Sequence, residues 1–322
     1  MELNEFLAEW HNDNPRILVH TSGSTGKPKP LMVEKRRMLN SARITCDFLG
    51  LKPGDTALLC MPLDYIAGKM MVVRSLQRDL RLTSVRPSSH PLADDTLPDF
   101  TFAAMVPMQV YNTLKVPCER ERLMRIRHLI IGGGAISDEL AQMIKPLPNA
   151  VWSTYGMTET LSHIALRRLN GPDASLWYTP FDGVGISLNA DGCLVIDAPE
   201  VCAEPLATND IAQLRTDDRT GKTLFRIKGR KDNVVCSGGI KIQIEEVEET
   251  LRPHLSAPFM IVKKQDEMLG EKAILLTEST DLTHIEEICR NALPKYWVPR
   301  EFLHIDHLPL TETGKPKRSG AF

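Results

Sequence analysis

Up to about residue 155, short apolar runs alternate with amphipathic stretches, and that alternation restricts the chain to layered α/β architectures with a largely parallel sheet. Strands are expected at Ile17–His20, Ala57–Cys60, Phe100–Ala104, Leu129–Ile131 and Val151–Tyr155. Helices are expected between them, at Lys35–Leu49, Gly68–Arg78, Pro107–Leu114 and Ser137–Ile144. From about Leu176 to Ile227 the texture changes to short alternating strands broken by Asp-Gly, Asn-Asp and Thr-Gly turns, which reads as a small β subdomain. A second α/β unit begins near Lys231, with a helix at Ile244–Leu251, strands at Phe259–Lys263 and Ala273–Leu276, and a helix after Asp281. In that last helix Leu282, Ile285, Cys289 and Ala292 recur at helical spacing and form one apolar face. The expected organisation is an α/β fold: a large N-terminal α/β domain over residues 1–230, carrying the β subdomain at about 176–227, and a smaller C-terminal α+β domain over 231–322.

Bulk properties narrow the function classes. A formal net charge of −2 over 322 residues gives no reason to expect nucleic acid or an anionic membrane as partner. The start, MELNEFLAEWHND, lacks the basic and apolar regions of a signal peptide, and no apolar run nears the roughly 18 residues that span a bilayer. The 7 cysteines are scattered and never spaced as CxxC, against both a disulfide framework and a structural zinc site. A cytoplasmic protein without membrane insertion is expected.

The chemistry concentrates in a few loops. An apolar strand runs into TSGSTGKPKP, where Gly23 and Gly26 let backbone approach an anion and consecutive N–H groups can form a phosphate nest. Thr21, Ser22, Ser24 and Thr25 add hydroxyl donors, and Lys27 adds a point charge. The Gly23–Gly26 spacing and Pro28 exclude a Walker A loop; the ordinary alternative is a solvated turn. In YGMTET, Glu159 is a hard oxygen ligand suited to a magnesium ion bridging phosphates, and Thr158 can donate to a phosphate oxygen; a plain helix cap is the alternative. Glycines 132–134, in IIGGGAISDEL, would let a flat ligand lie against Gly133 and Gly134, or simply make a tight strand-to-helix turn capped by Ser137. GxGxxG is absent, which disfavours a dinucleotide site. The run Glu245, Glu246, Glu248, Glu249 reads as a solvated face near a helix N-terminus.

TSGSTGKPK resembles the phosphate loop of the adenylate-forming superfamily, which includes acyl-CoA synthetases, peptide-synthetase adenylation domains and luciferases. Tyr155–Thr160 and the 132–134 segment resemble that superfamily's next two signatures. TNDIA resembles its Thr-Gly-Asp motif with Asn209 in place of glycine, a residue tolerant of unusual backbone angles. GRKDNVVCSGGIKIQIEEVE resembles the stretch joining its two domains, and LPLTETGKPKR its catalytic-lysine loop. The resemblance implies ATP, Mg2+ and coenzyme A as ligands, with Lys315, Glu159 and Thr158 in catalysis and Glu159 on the metal. It implies nucleotide contacts from Thr21 to Lys27 and from Gly133, Gly134, Tyr155, Gly156, Asp210 and Arg230. It further implies Gly238 and Gly239 beside the coenzyme tunnel, a hinge at Asn233, and a mobile C-terminal domain.

MPLDYIAGKMMVVRSL, from Met61, is similar in spacing to the o-succinylbenzoate–CoA ligase branch of menaquinone biosynthesis. There Arg74, nine residues beyond Tyr65, with Lys69, would read a second carboxylate; Asp64-Tyr65 stands where that branch has Phe-His. The bland alternative places Arg74 and Lys69 on a solvent-facing helix surface. Only 20 residues precede Thr21, so the large domain is expected to form with one sheet reduced or absent. Asp64 also admits an enzyme that activates amino or aryl acids and loads a carrier protein in trans, where an aspartate pairs with a substrate α-ammonium. A catalytically idle nucleotide-binding protein is the third reading.

Overall fold

The structure is a computed structural model, and it describes residues 1–20, 30–134, 136–309 and 317–318. Two compact units are present: one comprises Met1–Ile186, Ile196–Leu206 and Arg215–Phe225, the other Ser187–Val195, Ala207–Leu214 and Arg226–Phe322.

The first unit opens with helix α1 (Leu3–His11), strands β1 (Arg16–His20) and β2 (Pro30–Glu34), and helix α2 (Lys35–Leu49). Among the described residues β1 and β2 pair with each other alone, antiparallel, Arg16 opposite Glu34. The expected strand at 17–20 therefore forms but stands outside the parallel sheet, with Ile17 and Val19 buried while Arg16 and Leu18 face out. Helix α2 ends where Gly50 takes the left-handed conformation (φ 64°) and returns its N–H to the Asp47 and Cys46 carbonyls.

Next come β3 (Thr56–Leu59), α3 (Ile66–Arg78), β4 (Arg81–Ser84), β5 (Phe102–Met105), α4 (Pro107–Lys115), α5 (Pro117–Arg125), β6 (His128–Ile131), α6 (Asp138–Ile144), β7 (Ala150–Gly156), β8 (His163–Arg168) and β9 (Thr179–Pro180). They build a sheet of order β4-β3-β5-β6-β7-β8-β9, parallel from β4 to β7 and antiparallel beyond. β5 is buried throughout and β6 nearly so, as apolar runs without alternation require of central parallel strands. Proline opens α4 and α5, where the missing N–H costs nothing. Ser137 caps α6 by accepting from the Leu140 N–H at 3.2 Å.

The topology explains where chemistry can sit. From β3 the chain steps outward to β4, then crosses back to β5 on the other side of β3. Such a reversal opens a crevice beyond the carboxyl ends of the strands, the place where open α/β sheets bind ligands.

Four strands, β10 (Gly185–Leu188), β11 (Cys193–Asp197), β12 (Leu206–Thr216) and β13 (Thr223–Arg230), form a sheet in chain order, matching the expected β texture. The second unit also holds β14 (Val234–Ser237), β15 (Ile240–Gln243), α7 (Ile244–Leu251), β16 (Phe259–Asp266), β17 (Gly270–Thr277), α8 (Leu282–Ala292) and β18 (Glu301–His304). Its sheet has the order β15-β14-β17-β16, with β18 parallel to β17. Val247 and Leu251 of α7 and Ile285 and Cys289 of α8 pack with Ile261 and Leu275 of the sheet. Met260, Val262, Ile274 and Leu276 form a separate cluster, so β16 and β17 are covered on both faces. Asp281 caps α8 through the His284 N–H at 3.1 Å.

Candidate active site

Three sequence motifs of the first unit leave the carboxyl ends of parallel strands: Met61–Tyr65 after β3, glycines 132–134 after β6, and Tyr155–Thr160 at the end of β7. Close packing fixes these loops. A Cβ on Gly132 would lie 2.5 Å from the Thr154 hydroxyl of β7, while one on Gly134 would make only ordinary contact with Pro107 at 3.4 Å. Gly133 takes φ 79°, so the turn needs glycine there. Gly156 sits at a bulge opposite His163, and a Cβ there would come within 2.2 Å of the Ser162 carbonyl oxygen.

The Gln109 side chain, invisible to motif reading, holds this edge together. Its amide N–H groups donate to the Cys60 carbonyl at 3.0 Å and the Ser88 carbonyl at 2.9 Å, and its oxygen accepts from the Val106 N–H at 3.1 Å. A cleft of about 620 Å³ opens beside the β3 and β4 ends, lined by Leu59, Met61, Leu63, Asp64, Ser84 and Arg86 among others. The nearby Cys60 thiol is held inert, burial pushing it up to about 12.

Thr158 is buried and Glu159 exposed on a 3-10 turn, Thr158–Thr160. Leu161 follows with φ 64°, a conformation that costs a non-glycine residue about 1–3 kcal/mol, and turns the chain into β8. The Tyr155 ring meets Tyr178 and Phe225 at centroid distances of 5.7 and 5.0 Å. Among the described residues no cluster of three or more metal-ligating side chains exists. A single exposed carboxylate still suits magnesium, which keeps several waters and takes its remaining ligands from nucleotide phosphates.

Arg74 and Lys69 are not on a solvent-facing surface: they are only 2% and 3% exposed. They have separate partners. Lys69 donates to the Leu18 carbonyl at 2.9 Å, and burial lowers its pKa. The Arg74 guanidinium donates to the Ser162 hydroxyl at 2.6 Å and faces the Met71 sulfur at 3.9 Å; its Nε has no partner. Burial pulls it down to about 10, and no carboxylate among the described residues pairs with it. Asp64 is largely exposed and holds the α-ammonium of Met1 at 3.2 Å; Tyr65 beside it is exposed.

In the second unit Arg230 reaches Asp210 at 3.3 Å and Asp232 at 3.0 Å, bringing together two of the residues expected to contact the nucleotide. Asn209 lies in extended β12 and needs no unusual backbone angle; its side chain donates to Asp232 at 3.4 Å. Asn233 donates to Glu245. Gly238 and Gly239, at φ 56° and 83°, form the two-residue turn between β14 and β15, a shape that favours glycine, asparagine or aspartate at the first place and glycine at the second. The acidic run is not simply a solvated face. Glu248 is 8% exposed, accepts from the Ile261 N–H at 2.8 Å and pairs with Arg318 at 2.6 Å. Thr21 to Lys27 and Lys315 lie outside the described residues.

An AMP-binding enzyme family model matches residues 4–203. The chain belongs to the AMP-binding enzyme family. At the level of reaction class it is an AMP-forming acyl-CoA ligase. It is 25% identical to a 2-succinylbenzoate–CoA ligase of Bacillus mycoides (strain KBAB4), over 95% of this chain and 69% of that protein. A crystal structure of an acyl-CoA synthetase (AMP-forming)/AMP-acid ligase II-like protein from Dyadobacter fermentans DSM 18053 is 33% identical, covering 98% of this chain and 91% of its own, with TM-score 0.67. The o-succinylbenzoate coenzyme A synthetase MenE of Bacillus subtilis, solved with ATP and magnesium, shares the fold at TM-score 0.74 and 23% identity, over 94% of this chain and 69% of that one.

Proposed function

We propose that this family member activates o-succinylbenzoate with ATP and transfers the acyl group to coenzyme A. The observation that carries the choice of acid is Arg74: a buried guanidinium without an acidic partner among the described residues, on the helix that follows the Met61–Tyr65 loop. A buried cation in that state is costly, and a dicarboxylic substrate supplies the missing anion.

In the first half-reaction a carboxylate oxygen of the acid attacks the α-phosphorus of ATP. The bond from that phosphorus to the bridging oxygen breaks, and pyrophosphate departs with the electron pair. Catalysis is positioning and charge stabilisation. Thr21 to Lys27 hold the departing phosphates, Thr158 donates to phosphate oxygen, and Asp210 accepts from the ribose hydroxyls beside Arg230. Glu159 would hold magnesium, which supplies charge neutralisation on the phosphates when bound. Lys315 bridges the carboxylate and α-phosphate oxygens. In the second half-reaction the thiolate of coenzyme A attacks the acyl carbon, AMP leaves, and Gly238 and Gly239 line the coenzyme's path.

Amino-acid activation is the second reading, favoured by the α-ammonium already bound at Asp64. Pyrophosphate exchange with o-succinylbenzoate, amino acids, fatty acids and aryl acids in parallel separates the two. Exchange with o-succinylbenzoate alone, followed by a coenzyme A thioester, is the expected outcome. Exchange driven by an amino acid, or by no acid at all, would overturn it.

A further inference from the structure

We propose that His163 is a positioning residue for Arg74, acting through Ser162, so that a neutral side chain sets where the buried guanidinium meets the acid's second carboxylate. The inference rests on the proposed role of Arg74 and adds to it a residue that no sequence motif marks.

The hydrogen-bond directions follow from counting protons. Thr45 has one hydroxyl proton, and it goes to the Ser41 carbonyl at 3.1 Å, one turn back on α2. The same hydroxyl lies 3.1 Å from His163 Nε2, so that nitrogen must be the donor. His163 is then the Nε2–H tautomer, and its Nδ1 can only accept. Ser162 Oγ lies 3.2 Å from Nδ1 and gives it the proton. That leaves only lone pairs on Ser162 Oγ toward Arg74, whose NH2 donates at 2.6 Å. The chain Arg74 → Ser162 → His163 → Thr45 → Ser41 runs one way without a conflict.

Reversing the imidazole tautomer would set the lone pairs of Nε2 and the Thr45 hydroxyl against each other and leave the Ser162 proton without an acceptor among these partners. Burial and the Arg74 charge both hold His163 neutral, as the chain requires. The elements are fixed independently. Helix α2 carries Thr45, α3 carries Arg74, and the bulged entry to β8 at Gly156 brings Ser162 and His163 between them. The Phe181 ring closes over the imidazole at 5.5 Å.

The test measures steady-state constants of the full-length enzyme with o-succinylbenzoate, ATP and coenzyme A. His163→Phe keeps the ring volume and removes both nitrogens. It should raise KM for o-succinylbenzoate about tenfold, the scale of one stranded buried hydroxyl, with KM for ATP and coenzyme A unchanged. Ser162→Ala should do the same, and His163→Gln, which retains one donor and one acceptor, should restore KM to near the parent value. In an Arg74→Met background the His163→Phe change should add nothing further, since both act on one contact. If Arg74→Met leaves KM for o-succinylbenzoate unchanged, the dicarboxylate reading and this inference both fall. If Arg74→Met raises KM but His163→Phe and Ser162→Ala do not, or if the effects simply multiply, this inference alone is overturned. Should His163→Phe fail to fold, Ser162→Ala and His163→Gln decide by the same criteria.

Discussion

Several buried polar side chains, Lys69, Gln109 and His163 among them, are held by backbone carbonyls or hydroxyls. His163 is the clearest case, because burial holds its pKa well below the ordinary value of 6.5. The unfolded chain takes up a proton near that value while the folded chain refuses it. Stability is therefore full above about pH 6.5 and falls as pH drops below it, by up to about 1.4 kcal/mol per pH unit. Denaturant unfolding between pH 7.5 and 5.5 should show that slope, and His163→Gln should flatten it, leaving the smaller contribution of His128, which burial also depresses. Gly156 makes a second residue-scale prediction. A methyl group there meets backbone that cannot yield, so Gly156→Ala should lower stability by about 1–3 kcal/mol in a thermal melt. The sequence marks the glycines as candidate ligand-facing residues. It does not mark their steric cause, because that lies in strands far away in the chain. Arg74 was legible as a candidate anion reader, but whether it faced solvent depended on what α3 packs against, which spacing on one helix does not reveal.

Elements were read well wherever a local pattern sufficed. Helices at Lys35–Leu49 and Ile244–Leu251 have their expected limits, each set by amphipathic spacing. α1, β2, β4, α5 and β8 were not anticipated, since each is short and owes its existence to its neighbours. The same dependence explains Glu248. Its place in an acidic run pointed outward, yet α7 turns it onto β16, where Arg318 and the Ile261 N–H hold it. Burial raises its pKa, and the guanidinium opposes that rise. Arg318→Ala, which leaves the carboxylate buried without its cation, should cost about 3–5 kcal/mol by urea denaturation. Glu248→Gln, keeping the shape and the N–H acceptor, should cost less.

On the scale of the whole molecule, the proposed function assigns Lys315 to adenylation and not to thioester formation, and that assignment can be measured. Lys315→Ala should abolish pyrophosphate exchange yet leave the conversion of supplied acyl-adenylate to thioester largely intact; equal loss of both rates would count against separate roles. The sequence-level picture of one cut near residue 230 differs from the observed division. The polypeptide passes from one unit to the other after Ile186, Val195, Leu206, Leu214 and Phe225. Interleaving of that kind has a practical corollary for dissection. A stop codon after β13 strips away the helices and sheet downstream but retains two segments, 187–195 and 207–214, that belong with what was removed. Neither unit can be made by truncation alone, and a biochemist wanting to separate their contributions will have to silence side chains in the intact polypeptide.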